Sequence, residues 1–80
     1  MNNVKKIYVE IIASFNKNGE IRPLKLIWED GISYEIQKII DIRPAASLKA
    51  GGCGIRYTCK INGQERYLFL EETKWFVEAN

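Results

Sequence analysis

Arg43, Lys49, Arg56, Lys60 and Arg66 fall within one stretch of 24 residues that contains a single acidic side chain, Glu65. That stretch carries a net +4, whereas the stretches before and after it are close to neutral or acidic. Arg56 and Lys60 lie four apart, so on a strand they share one face. With Tyr57 and Tyr67 near them in sequence, this mixture of guanidinium, ammonium and aromatic groups suits contact with phosphates and stacked bases. The same distribution also suits a solvated strand face with no ligand, and a pI near 8.6 is below the usual level for a nucleic-acid binder. Gly51-Gly52-Cys53-Gly54, between Lys49 and Arg56, offers a second phosphate or carboxylate reading through a nest of backbone N–H groups. It is not a GxxxxGK[ST] loop, and glycines are equally expected where a long connection bends back into a strand.

Other chemistries are disfavoured by what the chain lacks. There is no histidine, which removes the commonest general base, the commonest metal ligand and every Ser/His or Cys/His nucleophile pair. Ser47 and Cys53 are the only conceivable nucleophiles, and neither has such a partner. Cys53 and Cys59 leave a zinc ion short of ligands, so no metal and no cofactor is expected. The acidic pairs Glu29-Asp30 and Glu71-Glu72 are adjacent in sequence and sit at expected turns, where they are solvated and point to opposite faces. A non-enzymatic binding domain is the expectation. The start of the chain has no uninterrupted apolar run and no segment approaches the roughly 20 residues of a membrane span, so the expected setting is the cytoplasm, with free thiols and no membrane contact.

The elements that must position these groups read as strands throughout. Ile7, Val9, Ile11, Ala13 and Phe15 alternate with Tyr8, Glu10, Ile12 and Ser14, a period of two in strong β-formers. Asn16 to Glu20 supplies a turn. A second strand runs from about Ile21 to Trp28, with Leu24, Leu26 and Trp28 expected on one face and with Pro23 marking an edge or a bend. Asp30-Gly31 is the next hairpin signal. Tyr34 and Ile36 then alternate with Glu35 and Gln37 until Ile39-Ile40 breaks the register, which calls for a bulge near 38–40. Arg43-Pro44 ends that strand; the following residues have room for one helical turn before the glycines. Ile55, Tyr57, Cys59 and Ile61 alternate with Arg56, Thr58 and Lys60; Asn62-Gly63 turns the chain; Tyr67 and Phe69 alternate with Leu68 and Leu70; Trp75 to Glu78 closes the sequence. Cys59 is expected to pack as a small hydrophobe, and Trp28, Trp75 and Phe76 as core residues.

Six short strands with turns about every ten residues make an all-β domain, a small antiparallel barrel or strongly curled sheet of the SH3-like type. Eighty residues leave room for one such core. A single flat sheet strands Ile12, Ile27, Ile39, Leu68 and Leu70 on its far side, so either the sheet curls or two chains pair. The first three and last two residues are expected to fray.

Pro23-Leu24-Lys25-Leu26-Ile27-Trp28-Glu29-Asp30-Gly31, then Tyr34-Glu35-Ile36, and finally Trp75-Phe76-Val77-Glu78 follow a P-x-x-x-x-W-x-x-G-x-x-Y-x-[IV] pattern with a closing W-[FY]-[VL]-E strand. In this the chain resembles small single-domain bacterial families of unknown function, of the Gram-positive and clostridial kind, and more loosely one met in actinobacterial genomes. The motifs are turns and core aromatics spread over most of the chain. The resemblance therefore implies a shared fold and carries over no site residue. The Ala45 to Arg56 stretch is longer than the connection expected in the actinobacterial relatives.

Two partners remain open. One is nucleic acid or a phosphate, held by Arg43, Lys49, Arg56, Lys60 and Arg66 with Tyr57, which requires those side chains to share a face. The other is a protein, or a second copy of the chain, docking on a sheet edge or on the apolar face around Ile12, Ile27 and Leu68.

Overall fold

The computed structural model of the protein describes residues 5–44 and 54–79. They form six strands: β1 Lys5–Phe15, β2 Ile21–Ile27, β3 Ser33–Pro44, β4 Ile55–Ile61, β5 Gln64–Glu71 and β6 Lys74–Ala79. Each strand pairs antiparallel with the next, and β6 returns to β1, so the order β1-β2-β3-β4-β5-β6 closes into an all-β barrel. The residues after Pro44 that have room for a helical turn, together with Ser47, Lys49 and the Gly51-Gly52-Cys53 segment, lie outside the described residues.

Turn chemistry sets the hairpins. Asn16 Oδ1 accepts from the N–H groups of Asn18 and Glu20, and Asp30 Oδ1 accepts from Ile32 N–H, so each polar side chain substitutes for a backbone partner within its turn. Asn62 and Gly63 both have positive φ (52° and 76°), the combination that a two-residue hairpin demands and that this dipeptide adopts at little cost.

Closure makes the two longest strands serve two neighbours each. β1 pairs with β6 through Lys5–Val9 and with β2 through Glu10–Phe15. β3 pairs with β2 only through Ser33–Glu35, and with β4 from Ile36 to Pro44. Bulges accommodate the bends. In β3 the ladder skips Gln37 and again Ile40, two bulges where the sequence pointed to one disturbed region. The Gln37 side chain accepts a hydrogen bond from Gly63 N–H at 2.9 Å, tying the first bulge to the β4–β5 turn. In β2 the ladder skips Leu24, between Ala13–Pro23 and Ile12–Lys25. That extra residue corrects the expected face: Pro23 and Leu26 are buried, whereas Leu24 is 46% exposed.

The core inside the barrel is Leu26, Ile36, Tyr57, Cys59, Ile61, Leu68 and Leu70, with Val9, Ile11, Trp28, Ile39 and Trp75 packed against it. Leu68 and Leu70, which a single flat sheet would strand on its far side, face inward in the barrel: Leu68 stands opposite Tyr57 and Leu70 opposite Ile55, and their strand neighbours Tyr67 and Phe69 turn outward. Ile12 remains half-exposed on the outside. Tyr57 spans the interior: its ring lies 5.2 Å from that of Trp75, and its hydroxyl donates to the Ile21 carbonyl at 2.7 Å. This bond links β4 to β2 where β2 has no described ladder to β3.

Two predictions follow from this interior. Tyr57→Phe leaves the Ile21 carbonyl without its donor and costs about 1–2 kcal/mol, read as a lower urea midpoint with unchanged slope. Burial pushes the Cys59 thiol up from 9.0 to about 11, and burial, then the nearby Cys59 charge, raises the Tyr57 phenol above 10.0. The folded state therefore holds protons that the unfolded chain has released, so this contribution is intact below the unfolded thiol value of 9.0 and is lost as pH rises toward about 11. Cys59→Ala flattens the fall in urea midpoint between about pH 9 and about pH 11 relative to the parent.

Candidate nucleic-acid interface

The outer face of the five strands β3 to β6 and β1 is built row by row from the pairing register. One row reads Arg43 on β3, Arg56 on β4, Phe69 on β5, Phe76 on β6 and Tyr8 on β1, each opposite the next. Its aromatic end forms a second apolar cluster outside the barrel. Phe69 and Phe76 stack at 5.1 Å and are nearly parallel, and Tyr8 meets Phe76 edge-on at 5.9 Å. Phe76 is only 1% exposed although it belongs to the outer face. Part of its cover is Lys6, whose ammonium sits 4.6 Å from the Phe76 ring centre and bonds Glu71 at 3.1 Å. That hydrogen bond holds the Lys6 pKa above the usual lysine value. Glu71, expected to be solvated at its turn, is thus half-buried and paired.

The basic end of the face is different. Arg56 lies over the ring of Tyr67 at 4.4 Å, with Tyr67 itself 52% exposed, and its Nε is buried with no hydrogen-bond partner among the described residues. Arg43, directly opposite, is bonded to Asp41 at 2.7 Å, and that carboxylate raises the already high arginine pKa. One step to each side of Thr58, two like-charged pairs face each other across β3 and β4: Arg43 with Arg56, and Lys38 with Lys60. Glu65 stands on the other side of Lys60. Four cations thus meet two carboxylates on this end of the face. Like charges directly opposite destabilise a ladder.

Arg43, Arg56 and Lys60 share this surface, as a common site requires. Arg66 does not; it stands opposite Cys59 and occupies a core-facing position at the barrel rim. Tyr57, grouped with the cations by sequence, is 3% exposed and belongs to the core. Lys49 lies outside the described residues. Lys38 completes the cationic ladder and was missed, because the bulges at Gln37 and Ile40 conceal its partner from any count along the chain. Tyr67 carried a signal in its spacing to Arg56 but no indication of which face it takes.

Among the described residues no group of histidine, cysteine and carboxylate side chains has a metal-binding arrangement, and no helix is long and apolar enough to cross a membrane. No family model, curated protein or solved structure matches the chain.

If the facing lysines are held together against their repulsion, replacing one by an acid relieves it. Lys38→Glu raises stability by about 0.2–1 kcal/mol at low salt, and the gain shrinks as salt screens the pair. Urea midpoints at two ionic strengths measure it.

Proposed function

We propose that the protein is a non-enzymatic binding domain that holds single-stranded nucleic acid across the outer face of β3, β4 and β5. The observation that carries this reading is the pair of like-charged rungs, Arg43 with Arg56 and Lys38 with Lys60, beside the exposed Tyr67 ring. A ladder gains nothing for its own stability from such rungs, whereas a polyanion lying along them neutralises both. Tyr67 and the Arg56 guanidinium plane are the stacking surfaces beside them, a combination that tolerates any base. The absence of histidine and the raised pKa of the buried Cys59 thiol favour binding over catalysis.

A second reading, docking of a protein or a second copy of the chain, draws on the exposed Ile40, Ile42 and Ile55 toward the end of the β3–β4 ladder where Pro44 meets Ile55. It predicts a mass in solution that rises with concentration. The apolar face first considered for it loses Leu68, which lies in the core.

Titration into labelled single-stranded RNA and DNA of about 12 nucleotides, from low to physiological salt, tests the nucleic-acid reading. Four cations displacing counterions give a slope of log K against log salt of about −3. The Arg56→Ala, Lys60→Ala double variant and Lys38→Glu lower both affinity and slope. Tyr67→Ala weakens binding by about 1–3 kcal/mol. Absence of binding at low salt, or binding indifferent to all three variants, removes this function.

A further inference from the structure

At the end of the barrel where β1 begins and β6 ends, a cavity of about 570 Å³ opens to solvent, within the range of small-molecule sites. Register partners build its wall: Ile7 with Val77, Leu26 with Tyr34, and Ile61 with Gln64. Trp28, just beyond β2, completes the apolar part of the lining, in which the Trp28 and Tyr34 rings are only partly covered, and Tyr67 and Phe69 of the outward face border it.

Arg66 stands at the rim of this cavity. Its partner across the ladder is Cys59, which is fully buried, so Arg66 occupies the only core-facing strand position among the described residues of β4 and β5 that bears a formal charge. Its Nη2 donates to Gln64 Oε1 at 2.7 Å, a neutral acceptor. The ion pairs among the described residues are Lys6 with Glu71 and Arg43 with Asp41, and neither involves Arg66. Glu65 and Glu78 also border the cavity, but from positions opposite Lys60 and Lys6 on the outward face.

We propose that this open end binds a small apolar molecule bearing a single carboxylate. The apolar body lies against Leu26, Trp28, Tyr34 and Ile61, and the carboxylate takes the planar fork of Arg66, which matches it with two parallel hydrogen bonds. Gln64, already oriented by Arg66, offers its amide N–H groups at the same rim. Arg66 is the one cation among the described lining residues, so the cavity offers charge for a single carboxylate and not for a doubly charged phosphate monoester. None of Lys38, Lys60, Arg43 and Arg56 lines this cavity, which meets the outward face at Tyr67.

The test is a nuclear magnetic resonance titration of the ¹⁵N-labelled protein with decanoate, 1-naphthoate and, as the neutral control, decanol. Saturable shifts centred on the Trp28 indole N–H and the amides of Ile61 and Arg66, with either acid binding about tenfold or more tighter than decanol, support the site. The tighter of the two acids tells whether the body is an alkyl chain or a ring. Arg66→Gln erases the preference for acid over alcohol without altering decanol binding, while Arg22→Ala, at an exposed arginine opposite Ser14 that does not line the cavity, leaves all three probes unchanged. Equal binding of acid and alcohol, an Arg66→Gln variant that keeps the preference, shifts centred elsewhere, or no saturable shift at about 1 mM probe overturns the proposal.

Discussion

The barrel depends on β1 and β3 each exchanging one neighbour for another partway along their length. A six-stranded sheet of this size closes only if some strands bend sharply, and a bent strand cannot keep a regular ladder on both edges. β1 hands over from β6 to β2 between Val9 and Glu10, and β3 from β2 to β4 between Glu35 and Ile36. The β2–β3 contact that results is only three residue pairs long. Side chains make good what the ladder lacks there. Tyr57 reaches across the interior to the Ile21 carbonyl with its ring against Trp75, and Gln37, itself the residue left over by a bulge, ties β3 to the Gly63 turn. The bulges also decide which side chains enter the core, since each reverses the alternation that follows it.

A chain of this length buries a smaller fraction of its surface on folding than a larger domain does. Here the outer face adds a second buried layer. Phe69, Phe76 and Tyr8 form a strip across three strands, covered in part by the Lys6 stem and its bond to Glu71. Cations lying over ring faces let this strip sit under a polar surface, because the ammonium or guanidinium keeps contact with water while its stem covers the rings. The row continues into Arg56 and Arg43, so one line of register partners passes from an aromatic cluster that serves stability to a cationic ladder that opposes it. The stabilising and the unfavourable ends are therefore held by the same five strands.

Much of the architecture could be read along the chain. Period-two alternation, together with Asn16, Asp30-Gly31, Asn62-Gly63 and Glu71 to Lys74, located all six strands and every short turn, because these signals act over two to five residues and need no distant partner. The inertness of Cys59 and the inward setting of Trp28 and Trp75 were legible for a similar reason: large or thiol-bearing side chains on an alternating strand of so short a chain have few other places to go. Apolar residues on both strand faces called for a curled sheet or a paired chain, and the structure closes the sheet into a barrel.

The site was less legible. That Arg56 and Lys60 share a face is a property of one strand, and the sequence alone determined it. Whether Lys38 meets Lys60, whether Arg43 meets Arg56, and that Arg66 turns to the barrel rim while Tyr57 enters the core are properties of pairing between strands. Only the tertiary structure decided them. A single bulged residue shifts the partner of every position beyond it; the Ile39-Ile40 break pointed to one disturbed region near 38–40, but the exact bulges at Gln37 and Ile40, and the one at Leu24, accompany the bending that closure imposes, a constraint set by distant strands.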